Sequence, residues 1–171
     1  MVDASAVGTT DDPYSMTIER GKIREFARAT MSENPEYLDD PTPPIEPTFL
    51  TSVSFWTPTG RSVFSKVKLD LKRVLHGGQE YVFHGPPPRA GQELTVQTRV
   101  DDVYEKEGKR GGTMTFVVTV TEFRDETGTV VAEARSTAIQ TGKPATAEAV
   151  PGRPAAKAEH SAGGDLRKGG A

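Results

Sequence analysis

The second half of the chain contains three long β-type segments separated by short turns. Apolar and polar residues alternate in the first two, which puts every second side chain on one face of a strand. The alternating positions are Leu94, Val96, Thr98, Val100 and Val103 in the first run, and Met114, Phe116, Val118 and Val120 in the second. Val130–Thr141 is predicted to be the last strand. Short turns between long strands favour antiparallel hairpins, so this half of the chain is predicted to form an antiparallel sheet.

Two irregularities are predicted within these hairpins. The apolar period slips at Asp101-Asp102, which indicates a β-bulge. A charged, glycine-containing loop at Lys106–Gly112 joins the two alternating strands, and Asp125–Gly128 forms the next turn. Gly128 is expected to supply a positive φ there. The threonine- and valine-rich run at 114–121 predicts a half-buried strand.

One amphipathic helix precedes the strands, from about Glu19 to about Met31. Its apolar face is spaced i, i+3, i+4 and i+7 by Ile23, Phe26, Ala27 and Thr30. Asn34-Pro35 is predicted to end it, because the residue before a proline is pushed out of the α region. One helix followed by antiparallel strands predicts an α+β fold in which a sheet wraps around a long central helix.

The remaining segments carry weaker patterns. Residues 1–13 are polar and small, so a flexible N-terminus is predicted. The connector 39–47 holds four prolines and is predicted to be extended, whereas 48–56 fits a short helix or a strand equally well. Residues 57–70 are predicted to be a surface excursion. Short strands are predicted at 14–18 and at 79–83, followed by a proline-rich turn at 84–91. A disordered tail is predicted at 142–171, where a tether for a partner is the alternative. The folded domain therefore spans 14–141.

Charge and composition exclude several classes of function. The chain has 171 residues, a net charge of -3 and an acidic pI of about 5.7, which disfavours nucleic acid and anionic membranes as partners. It has no cysteine, which excludes disulfides, thiolate nucleophiles and cysteine-ligated metals. Neither a signal peptide nor an apolar run of transmembrane length is apparent, so a cytoplasmic protein is predicted.

The end of the helix and the loop after it carry a resemblance. The stretch from Phe26 to Tyr37 resembles the hydratase motif F-A-x-x-S-G-D-x-N-P-x-H of MaoC-like (R)-specific enoyl-thioester hydratases and dehydratases. Phe26, Ala27, Asn34 and Pro35 match without a gap. The motif aspartate falls on Ser32 and the motif histidine falls on Tyr37. The scaffold of the motif is therefore kept, and its acid/base pair is lost.

Two later segments, 74–83 and 88–94, look like the N-terminal-type domains of MaoC dehydratases. Such domains are similar to the dehydratase region of the fungal fatty-acid synthase and to the non-catalytic HadA and HadC subunits of the mycobacterial hydroxyacyl-ACP dehydratase. The resemblance covers about 14–141 and implies a hot-dog fold. It also implies an acyl thioester substrate carried on CoA or on acyl-carrier-protein phosphopantetheine, with no further cofactor and no metal.

The resemblance implies no catalytic residue in this chain, because serine is not a carboxylate base and tyrosine, with an ordinary pKa near 10, is a poor base at neutral pH. The residues expected to bind substrate are Asn34, Tyr37, His76, Gly77 and Gly78. For His76, the alternative is a structural histidine at the start of a strand.

Other polar residues have competing interpretations. Asp39 and Asp40 are either a displaced acid/base pair or a solvated turn, and Glu33 stands one residue from the motif aspartate position. His84 is expected in a turn, and His160 is given no role. A basic cluster either meets a phosphate of the thioester carrier or forms a solvated face; it consists of Arg61, Lys66, Lys68, Lys72 and Arg73.

These observations lead to a main hypothesis and two rivals. The chain is predicted to be a subunit of a heteromeric 3-hydroxyacyl-thioester dehydratase or (R)-specific enoyl-thioester hydratase, in which a MaoC-like partner supplies the aspartate and histidine. The strands 94–103 and 114–120 are expected to pair side by side with that partner or with a second copy. The rivals are an autonomous hydratase or thioesterase that uses His76, Asp39 or Glu33, and a non-catalytic acyl-thioester binding protein.

Overall fold

The computed structural model describes residues 2–67, 69–108 and 112–142. The predicted disordered tail lies outside the described residues apart from Gly142, as does the tip of the predicted 106–112 loop. Five antiparallel strands form one sheet in the order β1-β3-β4-β5-β2. Their bounds are β1 Tyr14–Thr17, β2 Val74–Phe83, β3 Glu93–Glu107, β4 Thr113–Arg124 and β5 Val130–Thr141.

The hairpins agree with their predictions. The register of β3 against β4 shifts between Val100 and Asp102, which confirms the bulge. Gly128 closes the β4–β5 turn with a φ of 83°, as the turn requires. β2 begins five residues before the predicted Gln79, at Val74. A register shift between His76 and Gly78 explains the difference, because a bulge interrupts the alternation that sequence reading depends on.

The pairing prediction for β3 and β4 is wrong. β4 lies between β3 and β5 and has no free edge. One edge of β3 pairs with β4, and its other edge is covered by β1 at Glu93–Val96 and by the N-terminal segment as far as Val100. The long open edge belongs to β2, which pairs with β5 alone. An open edge of unpaired N–H and C=O groups is where another strand can add.

β4 is a central strand whose most buried face carries threonines. Thr115, Val117 and Thr119 are at most 2% exposed, and they share a face with the fully buried Phe123. Phe116 and Met114 lie on the opposite face and are half-buried, with Phe116 stacked on Tyr104. The apolar alternation of this strand therefore marks the outer face of the sheet, and the inner face is partly polar.

The helix α1 spans Arg20–Ala29 and packs on the inner face of the sheet. Ile23 and Ala27 are fully buried, and Phe26 packs edge-on against Phe49 with ring centroids 5.4 Å apart. Two further short helices follow, α2 at Pro35–Leu38 and α3 at Val63–Lys66. Residues Phe49–Phe55 form a 3₁₀-helix, which settles the open alternative for this segment in favour of a helix.

α1 ends earlier than predicted and for a different reason. The Ser32 N–H donates to the Ala27 carbonyl at 2.8 Å, and Met31 has a φ of 58°. This is the arrangement of a Schellman cap, in which a residue in the left-handed region reverses the chain. Asn34 and Pro35 therefore do not end α1; they begin α2, with proline at its first turn.

Replacing Met31 by glycine should raise the free energy of unfolding by about 1 kcal/mol, because the left-handed conformation costs about that much in a residue with a Cβ. The Met31 side chain is 86% exposed, so little packing is lost. Chemical denaturation measures the change. The matched control Ala29→Gly, in the last turn of α1, should lower the free energy of unfolding by about 0.5–1 kcal/mol. A less stable Met31→Gly variant would contradict this account.

Two apolar clusters fill the inner face. The first joins β1, α1, the 45–50 segment and one end of the sheet, and contains Met16, Ile18, Ile23, Phe49, Leu94, Val96 and Phe123. The second lies toward the other end and contains Val2, Val63, Leu69, Val100, Val117 and Ala138.

The N-terminal segment differs from the loosely held terminus that was predicted. Val2 is buried in the second cluster. The Gly8 N–H donates to the Val100 carbonyl at 2.9 Å, and Thr10 forms a bridge with Arg99. Residues 2–11 thus lie along the β3 edge beyond β1. Backbone hydrogen bonds with β3 hold this segment in place, and the composition of the segment does not predict them.

Candidate functional site

The motif loop is held by α2 and by two arginines of α1. The Asn34 side chain accepts a hydrogen bond from the Glu36 N–H at 3.0 Å and so caps α2. Arg24 Nε donates to the Leu38 carbonyl at 3.1 Å, and Arg20 Nε donates to the Asp40 carbonyl at 3.0 Å. The backbone of the hydratase motif is therefore built as a defined loop against α1.

The two key motif positions on this loop hold a serine hydroxyl and a tyrosine phenol. Ser32 accepts a long hydrogen bond, 3.4 Å, from the Asn34 N–H. Tyr37 packs against the first apolar cluster. Burial raises the pKa of Tyr37 above its ordinary value of 10.0, and the negative charges of Glu46 and Glu36 raise it further. Tyr37 is therefore a neutral phenol that can donate a hydrogen bond, and it is not a base at neutral pH.

Glu46 is a carboxylate that sequence reasoning missed beside this loop. It is 8% exposed, and its Oε2 accepts a hydrogen bond from Thr30 Oγ1 at 3.2 Å. Its other oxygen, Oε1, is buried and has no hydrogen-bond partner in the described part of the chain. Glu46 lies in the proline-rich connector, where the only sequence signal was an acid between the apolar residues Ile45 and Phe49.

His76, Gly77 and Gly78 lie away from the motif loop, on the edge strand β2. The neighbouring Val74 packs against the second apolar cluster, whereas Tyr37 packs against the first. Gly77 lies in the β2 bulge, where a Cβ would come within 2.7 Å of the Ile139 side chain. Close packing against β5 is thus the requirement for glycine at 77. The structure brings Asn34 and Tyr37 together and leaves His76 exposed elsewhere.

Most of the competing candidates have structural contacts. Asp40 accepts from the Thr42 N–H at 2.7 Å and pairs with Arg89 at 3.1 Å, which is the behaviour of a turn residue. His84 Nε2 lies 2.9 Å from Glu133. Asp39 and Glu33 are exposed on the loop surface.

The basic cluster does not converge on one point within the described residues. Lys66 donates to the Thr10 carbonyl at 2.9 Å, and Arg73 Nε donates to the Thr141 carbonyl at 2.8 Å. Arg61 and Lys72 are exposed. Lys68 of this cluster, like His160, lies outside the described residues.

A cleft of about 450 Å³ lies between the inner face of the sheet and the 50–64 segment. One wall comes from the 3₁₀-helix and the loop after it, where Thr57 is 3.0 Å from the Tyr14 hydroxyl of β1. The floor comes from the polar and small residues of four strands: Thr98, Thr119, Thr121, Ala134, Ser136, Gln79 and Tyr81. This cleft is separate from Ser32 and Tyr37, since neither lines it.

Asp11 closes one end of the cleft and is 4% exposed. Its Oδ1 accepts a hydrogen bond from the Thr98 N–H at 2.7 Å. Burial raises the pKa of Asp11 above its ordinary value of 3.8, and the hydrogen bonds with Thr98 act in the opposite direction. No sequence signal marked this residue, because it falls in the segment predicted to be loose.

The family model for the FAS1-like dehydratase domain region matches residues 5–134. The chain belongs to this family. Among relatives, a UPF0336 protein of Saccharopolyspora erythraea is 31% identical over 150 residues, which is 82% of this chain and 92% of the relative. A UPF0336 protein of Streptomyces coelicolor is 33% identical over 116 residues, 63% of this chain and 77% of the relative.

Two solved structures share the fold. The HadBC (3R)-hydroxyacyl-ACP dehydratase complex of Mycobacterium tuberculosis gives a TM-score of 0.64 at 24% identity, covering 78% of this chain and 96% of that one. The ChsH1-ChsH2 complex of the same organism gives 0.62 at 17% identity, covering 81% and 87%. The α+β hot-dog architecture is thereby confirmed, with a ten-residue α1 on the inner face of the sheet.

The described residues contain neither a metal-binding cluster nor a membrane-spanning helix. No group of three or more His, Cys, Asp or Glu side chains there could hold a metal ion. No helix in the described ranges is long and apolar enough to cross a membrane.

Proposed function

We propose that this member of the FAS1-like dehydratase family is the non-catalytic subunit of a heteromeric 3-hydroxyacyl-thioester dehydratase or (R)-specific enoyl-thioester hydratase. The observation that carries the proposal is a well-built motif loop with Ser32 and Tyr37 at the positions of the acid/base pair. Moving a proton on and off the α-carbon needs a base, and this loop offers a hydroxyl and a neutral phenol. A MaoC-like partner would supply the aspartate and histidine.

The open edge of β2 supports an intermolecular partner. β2 is ten residues long, and only one of its edges is paired. Addition of a partner strand would satisfy the free backbone groups and continue the sheet. The related HadBC and ChsH1-ChsH2 structures are complexes of two named proteins. We propose that the hot-dog domain of the partner pairs with the open edge of β2. The alternative is that a second copy of this chain pairs there.

The substrate contacts then divide between two regions. His76, Gly77 and Gly78 lie on the edge strand, where a partner's active site would meet this chain. Asn34 and Tyr37 lie on the motif loop, where the phenol can donate a hydrogen bond to a carbonyl oxygen. The substrate would be an acyl thioester of CoA or of an acyl carrier protein. We further propose that the complex acts in the cytoplasm.

The test is a hydration assay with crotonyl-CoA and a longer enoyl-CoA. It is run on the full chain alone and again with a MaoC-like protein that carries an intact D-x-N-P-x-H motif. Turnover that requires the mixture is expected. Turnover by this chain alone would overturn the proposal and favour an autonomous enzyme. Glu46 would then be the first residue to replace, because it is a buried carboxylate whose charge raises the pKa of Tyr37.

A further inference from the structure

The floor of the cleft is polar where the inner face of a sheet is normally apolar. Two cross-strand rows form it. Thr98, Thr121, Ala134 and Tyr81 are successive neighbours across β3, β4, β5 and β2. Thr119, Ser136 and Gln79 form the adjacent row across β4, β5 and β2. The first apolar cluster lies at one end of these rows and the second lies at the other.

Much of this polar band has hydrogen-bonding capacity left over. The hydroxyls of Thr98 and Thr121 contact each other at 3.0 Å. The side chains of Thr119, Ser136, Gln79 and Tyr81 make no hydrogen bond with the described part of the chain, although all four line the cleft. Gln79 is exposed, Tyr81 and Ser136 are half-buried and Thr119 is 2% exposed, so water can reach most of these groups in the free chain. A ligand that covers the floor has to replace the hydrogen bonds of that water. A ligand that hydrogen-bonds would satisfy these groups.

The charge of the lining restricts the ligand further. Within the described residues no lysine, arginine or histidine lines the cleft, and Asp11 contributes a carboxylate at one end. An anionic group such as phosphate or carboxylate would have no positive side chain beside it and would be repelled by Asp11. A saturated alkyl chain would displace water from hydroxyls without replacing its hydrogen bonds.

We infer that this cleft binds a neutral chain bearing hydrogen-bonding oxygen or nitrogen groups, in preference to a saturated alkyl chain. Two sources have that chemistry: an acyl chain with a hydroxyl or keto group beyond C3, and the pantetheine arm of the carrier. The inference rests on the proposed function for the thioester carrier. Its binding test uses this chain without a partner, so the two proposals can fail separately.

The test is an NMR titration of the full-length chain with three probes. They are the N-acetylcysteamine thioesters of octanoate and 5-hydroxyoctanoate, and free pantetheine. We expect the hydroxylated thioester to bind about tenfold more tightly than the octanoyl thioester, as one added hydrogen bond allows, and to shift the signals of Thr119 and Ser136. If pantetheine produces those shifts and the two thioesters bind equally, the arm of the carrier is the source. Tighter octanoyl binding, or shifts confined to other surfaces, would overturn the inference.

A double variant, Tyr81→Phe with Ser136→Ala, removes two hydroxyls and keeps the shapes of the side chains. It should abolish the preference for whichever polar probe the wild type prefers, while octanoyl affinity stays equal or rises. A structural role alone would not change the preference between probes. The control Thr137→Val changes the outer face of the same strand and should keep the wild-type preference. An unchanged preference in the double variant would also overturn the inference, and the wild-type titration decides the matter if that variant fails to fold.

Discussion

Replacing the motif aspartate or histidine of a MaoC-like partner by asparagine or glutamine should lower the hydration rate of the mixed subunits by about 10²–10⁴-fold. General acid–base groups contribute that much to proton transfer, and this chain offers no substitute at the corresponding positions, which hold Ser32 and Tyr37. Initial rates with crotonyl-CoA at saturating subunit ratio measure the effect. Copurification of the two chains verifies that the partner variant still assembles.

The matched change in this chain is Ser32→Ala. Ser32 accepts only a long hydrogen bond from its own loop, so the kcat of the mixture should stay within about threefold of the wild type. Tyr37→Phe is expected to act on KM, because it removes a hydrogen-bond donor without removing a base. A more than tenfold fall in kcat in the Ser32 variant would show that the motif loop of this chain takes part in catalysis.

Phe49→Ala should lower the free energy of unfolding by about 3–5 kcal/mol, the range for truncating a fully buried aromatic ring. Phe49 is 0% exposed and packs edge-on against Phe26 of α1. The same 3₁₀-helix supplies a wall of the cleft through Leu50 and Val53. The variant should therefore weaken the attachment of α1 and of that wall together. Equilibrium urea denaturation followed by far-UV circular dichroism measures the loss.

Phe55→Ala is the control on the same helix. Phe55 is 76% exposed and contacts Trp56 edge-on and Lys22 through its ring face. Surface contacts of this kind contribute about 0.5–1 kcal/mol at most, so this variant should remain near wild-type stability. Equal losses in the two variants would contradict the burial argument, and a loss below about 1 kcal/mol at Phe49 would show that the core repacks around the smaller side chain.

Local sequence patterns identified those parts of the fold that short-range geometry decides. The β3 bulge and the glycine turn at 128 could be predicted because period-2 alternation and turn chemistry are properties of neighbouring residues. The same patterns failed at the start of β2, where the bulge at Gly77 breaks the alternation. They also failed at Asn34-Pro35, since a proline that ends one helix and a proline that begins the next look alike locally.

The candidate site was predictable only in part. The resemblance to the hydratase motif identified the loop and placed Ser32 and Tyr37 at the positions of its acid/base pair. It could not identify Glu46 or Asp11, because each is brought to its site by contacts with distant segments, Asp11 with Thr98 and Glu46 with Thr30. Nor could it show that Thr119, Ser136 and Gln79 lie side by side, since strand order and register determine which polar residues become neighbours.

By itself, the sequence determined an antiparallel α+β domain with one main helix, because strand and helix periods follow from residue identity and spacing. The resemblance to the hydratase motif added that Ser32 and Tyr37 stand at the positions of its acid/base pair. Only the tertiary structure decided which face of β4 is buried, which strand is the open edge and where the polar cleft lies. An alternating strand has two faces and two edges, and only the packing of α1, of residues 45–64 and of the N-terminal segment determines which of them meets the core and which meets a partner.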